Sequence, residues 1–157
     1  MRPDRHSYFL DIAHVVSKRS TCVRRAVGCV LVDVNGNISA TGYNGVPRGQ
    51  AHCNEGNPCP GSEAPAGSGL DECYAIHAEQ NALLQCRDVN SLLAIYCTAS
   101  PCIHCMKMLL NTSARLVVYR EPYAHQGALE LWVRSGRQSL LIPQGMSVTT
   151  LRGGVSA

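Results

Sequence analysis

Two short segments of this chain carry side chains that can hold a metal ion and move protons beside it. One is His77-Ala78-Glu79. The other begins 22 positions after Glu79 and reads Pro101-Cys102-Ile103-His104-Cys105. An imidazole and two thiolates make three zinc ligands and leave one corner of a tetrahedral Zn²⁺ for water, which separates a catalytic zinc from a closed structural one. Such an ion brings the pKa of its water from about 16 toward about 7. Thiolates reduce the ion's effective charge, so a general base has to help, and Glu79 stands next to the histidine ligand. Taken alone, C-x-x-C fits a second metal knuckle or a redox pair, and a lone histidine fits a core position. The redox reading needs neither His77 nor Glu79, so the two segments together favour a catalytic zinc centre.

These residues need helix starts to hold them. Cys102 and Cys105 are three apart, so a first helical turn shows both sulfurs on one face. His77 and Glu79 are two apart and diverge, which suits a ligand and a proton carrier. Around them, Tyr8, Phe9, Ile12, Val15 and Val16 have the spacing of an amphipathic helix over 7–18. Strands follow over 26–34 and 37–43, joined by the hairpin turn Asn35-Gly36. A helix over 74–87, a strand over 92–98 and a helix opening at Pro101 come next; proline suits a first turn, where no N–H is needed. Met106, Leu109 and Leu110 are that helix's buried stripe. A strand over 116–119, a helix over 126–135 ended by Gly136, and a short strand over 139–142 complete the pattern. The order α-β-β-(insert)-α-β-α-β-α-β predicts an α/β, three-layer α-β-α domain. Its sheet is mixed and five-stranded with helices on both faces, and its late strands are parallel with crossover helices.

The chain has 157 residues, 45% of them apolar and 16% charged, which fits a single globular domain with a real core. The expected domain is 1–143, with a Gly- and Pro-rich insert over 45–73 and a polar tail over 144–157. A net charge of +3 is too mild for a nucleic-acid footprint, and one Trp, one Phe and six Tyr are few for a stacking platform. The opening Met1-Arg2-Pro3-Asp4-Arg5-His6 lacks the apolar segment of a secretory leader, and no run approaches membrane-spanning length. Nine cysteines is a high and odd count. The expectation is a cytoplasmic protein without membrane partners, in a reducing compartment where cysteines more often bind metal or do chemistry than pair.

Two cysteines belong to the catalytic centre. Cys29, Cys86 and Cys97 fall within predicted strands or a helix as small core residues. Cys22, Cys53, Cys59 and Cys73 fall in loops or at element ends, three of them in or beside the insert. Four thiolates would close a tetrahedral structural zinc and fix a loop that cannot bury apolar surface. Their irregular spacing also fits reduced, unligated thiols.

From about residue 5 to 142 the chain resembles the deoxycytidylate (dCMP) deaminases, within the cytidine deaminase superfamily. The pattern H-x-E…P-C-x-x-C is the known signature of zinc-dependent nucleobase deaminases. Arg19-Ser20-Thr21-Cys22, Val27-Gly28, Gly42-Tyr43-Asn44-Gly45 with Pro47 and Gly49, His77-Ala78-Glu79-Gln80-Asn81-Ala82, and Pro101-Cys102 with Cys105 follow in the family's order. The zinc motifs are superfamily-wide. Gly-Tyr-Asn-Gly-x-Pro is narrower and points to the nucleotide-monophosphate branch.

The resemblance implies the cytidine deaminase-like fold and hydrolysis of dCMP to dUMP, which feeds thymidylate synthesis. It further implies a homohexamer activated by dCTP and inhibited by dTTP, with Mg²⁺ accompanying the triphosphates. Asn44 would hold the sugar, its amide donating and accepting to a hydroxyl; a plain turn asparagine is the alternative. Ala78 would offer its backbone to the base edge. Arg24 or Arg25 would clamp the 5′-phosphate, against a solvated basic loop. Tyr123 would pack on the base, or be an ordinary core or interface aromatic. Tyr43, Gly45 and Arg48 are effector-pocket candidates by likeness only. Some dCMP deaminases hold a second zinc partly by histidines, which makes His52 a substitute ligand beside Cys53. Competing readings are a bifunctional dCMP/dCTP deaminase, an RNA or free-nucleoside deaminase, and a non-catalytic zinc-binding subunit. The Gly-Tyr-Asn-Gly segment speaks against the RNA reading, and the presence of Glu79 against a subunit without turnover.

Overall fold

Val30, Leu31 and Val32 are β-branched or bulky residues in an unbroken apolar run, and the run forms a strand buried on both faces, β1 (Gly28–Asp33). The Asn35-Gly36 turn, with Gly36 at φ +84°, returns the chain as β2 (Ile38–Tyr43). The computed structural model describes residues 1–149, and the last part of the expected tail, 150–157, lies outside them. Before β1, α1 (Arg5–Ser17) is capped by Asp4, whose carboxylate accepts from the backbone N–H groups of His6 and Ser7, each at 3.0 Å. After the insert come α2 (Ala78–Gln85), β3 (Leu92–Ala99), α3 (Ile103–Leu110), β4 (Leu116–Glu121), α4 (Gly127–Arg134) and β5 (Gln138–Leu141).

The five strands lie in the order β2-β1-β3-β4-β5. β1 is antiparallel to β2 and β3, while β3-β4 and β4-β5 are parallel, each crossover carrying one helix. One face packs Leu31, Ile95 and Val117 against α2, α3 and α4, with Ala82, Met106, Leu109 and Trp132 between. The other packs Val30, Val32, Tyr96 and Val118 against Phe9, Leu10 and Ala13 of α1. The expected three-layer arrangement is therefore present. Among the described residues no helix is long and apolar enough to cross a membrane.

Two glycines set how closely the layers approach. A Cβ on Gly28 would collide with the backbone of Ala13 and Ser17 in α1. A Cβ on Gly42 would collide with the backbone of Ala78 and Ala82 in α2. Each helix rests directly on a strand that has no side chain there.

The structure departs from the sequence expectation at several places. The helix expected over 74–87 starts only at Ala78. Residues before it are held extended, because Ile76 and Gly45 exchange backbone hydrogen bonds at 2.8 and 3.2 Å. The helix expected to open at Pro101 starts at Ile103, with Cys102 as its N-cap. Cys86, expected in a helix core, is the half-buried residue that ends α2. The segment after β5 folds back on the body: Arg120, buried beside α1, donates from Nη1 to the carbonyls of Ile142, Pro143 and Met146 and from Nη2 to Asp11 at 2.9 Å.

Candidate active site

The strand directions bring the chemistry to one end of the sheet. β3 runs antiparallel to β1, so Cys29 faces Cys97, and the Gly28 N–H donates to Thr98 Oγ1 at 3.1 Å. The start of β1, the ends of β2 and β3, and the loop after β4 therefore meet at a common edge. α2 begins over the same edge, resting on Gly42.

His77 is the N-cap of α2, and its own N–H is held by Gln80 Oε1 at 2.8 Å. Cys102 caps α3, whose second turn is tied back by the Met106 N–H to Cys102 carbonyl bond at 2.8 Å. His77 Nδ1 lies 3.4 Å from both Cys102 Sγ and Cys105 Sγ. The three ligand atoms all lie within 4.8 Å of one another, and among the described residues no other group of three or more such side chains does so. Zn–S and Zn–N bonds of about 2.3 and 2.0 Å at a tetrahedral angle place sulfur and nitrogen about 3.5 Å apart, so this donor set fits one ion.

The electrostatics also suit a cation. A hydrogen bond from the Cys105 thiol holds Cys102 far below an ordinary thiol, at about 3, with the His77 contact helping against the cost of burial. Cys105, donating to that thiolate and buried, is pushed up. Without added positive charge only one of the pair ionises; with it, both can be ligands. The Cys102 thiolate in turn raises His77.

Glu79 projects from the first turn of α2 with 4% of its surface exposed. Burial pushes its carboxyl up, opposed by hydrogen bonding and by the charge of His77, and it contacts Cys105. A carboxyl so placed accepts a proton more readily than one in water. It lines a cavity of about 240 Å³ with His77, Ala78, Cys102, Asn44, Arg24, Arg25 and Tyr123. Every residue expected to touch substrate is thus on one cavity.

Their detailed partners add to the sequence reading. Asn44 is buried; its Oδ1 accepts from the Val27 N–H at 2.8 Å and its Nδ2 donates to the Arg25 carbonyl at 2.7 Å. One donor and one acceptor of the amide remain for a ligand. Arg24 donates to the carbonyls of Pro65 and Ser68, and Arg25 pairs with Glu121 at 2.6 Å. The Tyr123 N–H is fixed by Ser100 Oγ at 2.7 Å. Sequence reasoning missed the wall made by Ser62, Ala64, Ala66, Gly67 and Leu70 of the insert. Small, featureless side chains gave no signal for it.

Tyr43, Gly45 and Arg48 line a different cavity, of about 690 Å³, with Thr21, Gln50, His52 and Asn81. Cys22, Cys53, Cys59 and Cys73 do not close up as the catalytic trio does. Cys59 is in hydrogen-bonding contact with both Cys53 and Cys73, while His52 Nδ1 is buried without a hydrogen-bond partner.

Comparison with known proteins agrees with this geometry. Residues 3–121 match the family described as the cytidine and deoxycytidylate deaminase zinc-binding region. The chain is 44% identical over 126 residues to a deoxycytidylate deaminase of Schizosaccharomyces pombe, an alignment covering 78% of this chain and 38% of that protein. The chain therefore spans well under half the length of that relative. It is 39% identical over 127 residues to the deoxycytidylate deaminase of Mycobacterium phage D29, covering 75% of this chain and 95% of that one. A crystal structure of the dCMP deaminase from cyanophage S-TIM5, in complex with dCMP and dUMP, superposes with a TM-score of 0.71 at 27% identity, covering 90% of this chain and 99% of that one. Since the family match runs through both the His-Ala-Glu and the Pro-Cys-x-x-Cys segments, the chain belongs to the cytidine and deoxycytidylate deaminases.

Proposed function

We propose that this chain hydrolyses dCMP to dUMP and ammonia, with zinc held by His77, Cys102 and Cys105. The observation that carries the reading is the one cavity, lined by His77 and Cys102 of that ligand trio, that also takes in a buried carboxyl and two guanidinium groups. Zinc bound there supplies a Lewis acid and an acidified water. Glu79 takes a proton from the attacking water and passes it to the ring nitrogen, then takes the second proton from the new C4 hydroxyl and delivers it to the departing amine. The C4–O bond forms first, with the ring nitrogen protonated, and the C4–N bond breaks afterwards as ammonia leaves, so bonds and protons balance. Asn44 offers its remaining donor and acceptor to the sugar, Ala78 its backbone to the base edge, and Tyr123 its ring to the base. Arg25 meets the 5′-phosphate. Its partner Glu121 is a largely exposed carboxylate, with 69% of the side chain accessible, and such surface pairs exchange at little cost.

The relatives named deoxycytidylate deaminase support the substrate, and the product would feed thymidylate synthesis in the cytoplasm. We extend the reading to a homohexamer controlled by dCTP and dTTP with Mg²⁺; the separate cavity at Tyr43, Gly45 and Arg48 supports an effector site. We also retain a structural zinc at Cys53, Cys59 and Cys73 with Cys22 or His52 completing the set; the Cys59 contacts and the unpartnered His52 nitrogen support it. Metal analysis is expected to find two zincs per chain, and Cys59→Ser to leave one. One zinc in the unaltered protein removes the second site.

The deciding experiment follows the fall in ultraviolet absorbance with dCMP, dCTP, deoxycytidine and CMP, with and without dCTP and Mg²⁺ as effectors. Turnover of dCMP is expected to dominate, and Glu79→Gln to lose about 100-fold or more in kcat with zinc retained. Near-normal turnover by that variant would remove Glu79 from the proton path, and no turnover of dCMP by the unaltered chain would overturn the assignment.

A further inference from the structure

We propose that residues 62–68 are a latched wall of the catalytic cavity and that Arg24 is the latch, a positioning residue for substrate rather than a phosphate ligand. This rests on the function proposed above. Ala64, Ala66 and Gly67 face the cavity, yet Ala-Pro-Ala-Gly-Ser has no side chain large enough to anchor a loop by apolar burial. The anchoring is done on its backbone carbonyls. Arg24 Nη2 donates to Pro65 O at 2.8 Å and to Ser68 O at 3.0 Å. His125 Nε2, in the loop after β4, lies 3.3 Å from Gly67 O. That approach depends on Gly67: its φ is +79°, and a Cβ there would stand 2.7 Å from His125 Nε2.

The wall is also folded on itself. The Ser68 N–H donates to Pro65 O at 3.0 Å and the Ala64 N–H to Gly61 O at 3.2 Å. One guanidinium therefore ties both ends of a tight turn to the loop before β1, which also carries Arg25. Removing it frees the wall that bounds the nucleotide, whatever that nucleotide carries at its 5′ position. A phosphate ligand would behave differently, since only phosphorylated ligands would feel its loss.

The test uses the zinc-loaded full chain and the variants Arg24→Ala, Arg24→Lys and Arg25→Ala. Amide hydrogen exchange over 61–70 reads the wall directly, and inhibition by dUMP and by deoxyuridine reads the phosphate. Arg24→Ala is expected to speed exchange of the Ala64 and Ser68 amides about tenfold. It should weaken dUMP and deoxyuridine by the same factor and raise KM for dCMP, while kcat stays within about twofold. Arg24→Lys should not restore the wall, because its Nζ stops short of the position of Nη2, the atom that makes both bonds, although it would still bind a phosphate. Arg25→Ala should weaken dUMP more than deoxyuridine and leave exchange unchanged. Unaltered exchange in Arg24→Ala, a loss confined to dUMP, or rescue by lysine would each overturn the latch. Absence of dCMP turnover in the unaltered chain would sink the proposed function instead, and the exchange result would still decide whether Arg24 holds the wall.

Discussion

Asn44 shows how much a single residue does at this site. The sequence placed it at a strand end and in a family motif, and both readings of it, turn residue and sugar ligand, use the same amide. The structure spends one donor and one acceptor on the loop before β1, binding Val27 N–H and Arg25 O. Asn44→Ala leaves those two groups without their partner, and each such loss costs about 1–3 kcal/mol when buried. The expected result is a lower unfolding midpoint together with a raised KM for dCMP, because Arg24 and Arg25 ride on that loop. Asn44→Asp keeps the acceptor for Val27 but cannot donate to Arg25 O, so it should recover only part of the stability. Thermal unfolding and steady-state kinetics of the pair check this; an Asn44→Ala protein with unchanged stability would show that the loop stands without it. The catalytic trio was legible because spacing within a helical turn is written in the sequence. Arg24's partners were not, because they are backbone carbonyls more than 40 positions away, and a carbonyl has no residue code.

At the scale of elements, the periodicities gave the right order of helices and strands, and errors fell at helix ends, chiefly at the starts of α2 and α3. His77 and Cys102 begin helices because each is the extended residue whose carbonyl receives the first helical bond, and apolar spacing does not mark that switch. What fixes the height of α2 over the sheet is the missing side chain of Gly42. Gly42→Ala drives a methyl into the Ala78 and Ala82 backbone, and overpacking of this kind costs about 1–3 kcal/mol. The displaced turn carries His77 and Glu79 together. The variant should therefore lose zinc occupancy and kcat as well as stability. Gly28→Ala makes the matching intrusion against α1 on the opposite face. It should destabilise comparably while zinc and kcat are retained. Equal losses of zinc in both variants would mean that general loosening, not the seat of α2, empties the site.

The whole molecule divides its labour between the two faces of one sheet. The C-terminal ends of the parallel strands β3 and β4 open the cavity, the place where α/β sheets commonly bind ligands. The antiparallel β1 and β2 bring Val27 and Asn44 to that same edge. This convergence follows from the spatial strand order β2-β1-β3-β4-β5, which the order of elements along the chain does not state. The opposite face is structural and has its own titration. Tyr96 is 2% exposed beneath α1, against Phe9 with ring centroids 4.9 Å apart, and its Oη lies 3.0 Å from His6 Nδ1. Burial pushes its phenol up to about 12 from an ordinary 10. Below pH 10 both folded and unfolded chains keep that proton. Between pH 10 and 12 the unfolded chain releases it while the folded chain holds it, so stability falls with rising pH across this window. Two units correspond to no more than about 2.7 kcal/mol. Tyr119 and Tyr123 are also raised by burial and add to the same slope, so the comparison of variants is what isolates Tyr96. Tyr96→Phe should start less stable at neutral pH, having lost the contact to His6, yet lose less on going from pH 10 to 12. Denaturant unfolding of both proteins at those two values settles it, and parallel declines would place the alkaline weakness elsewhere than under α1.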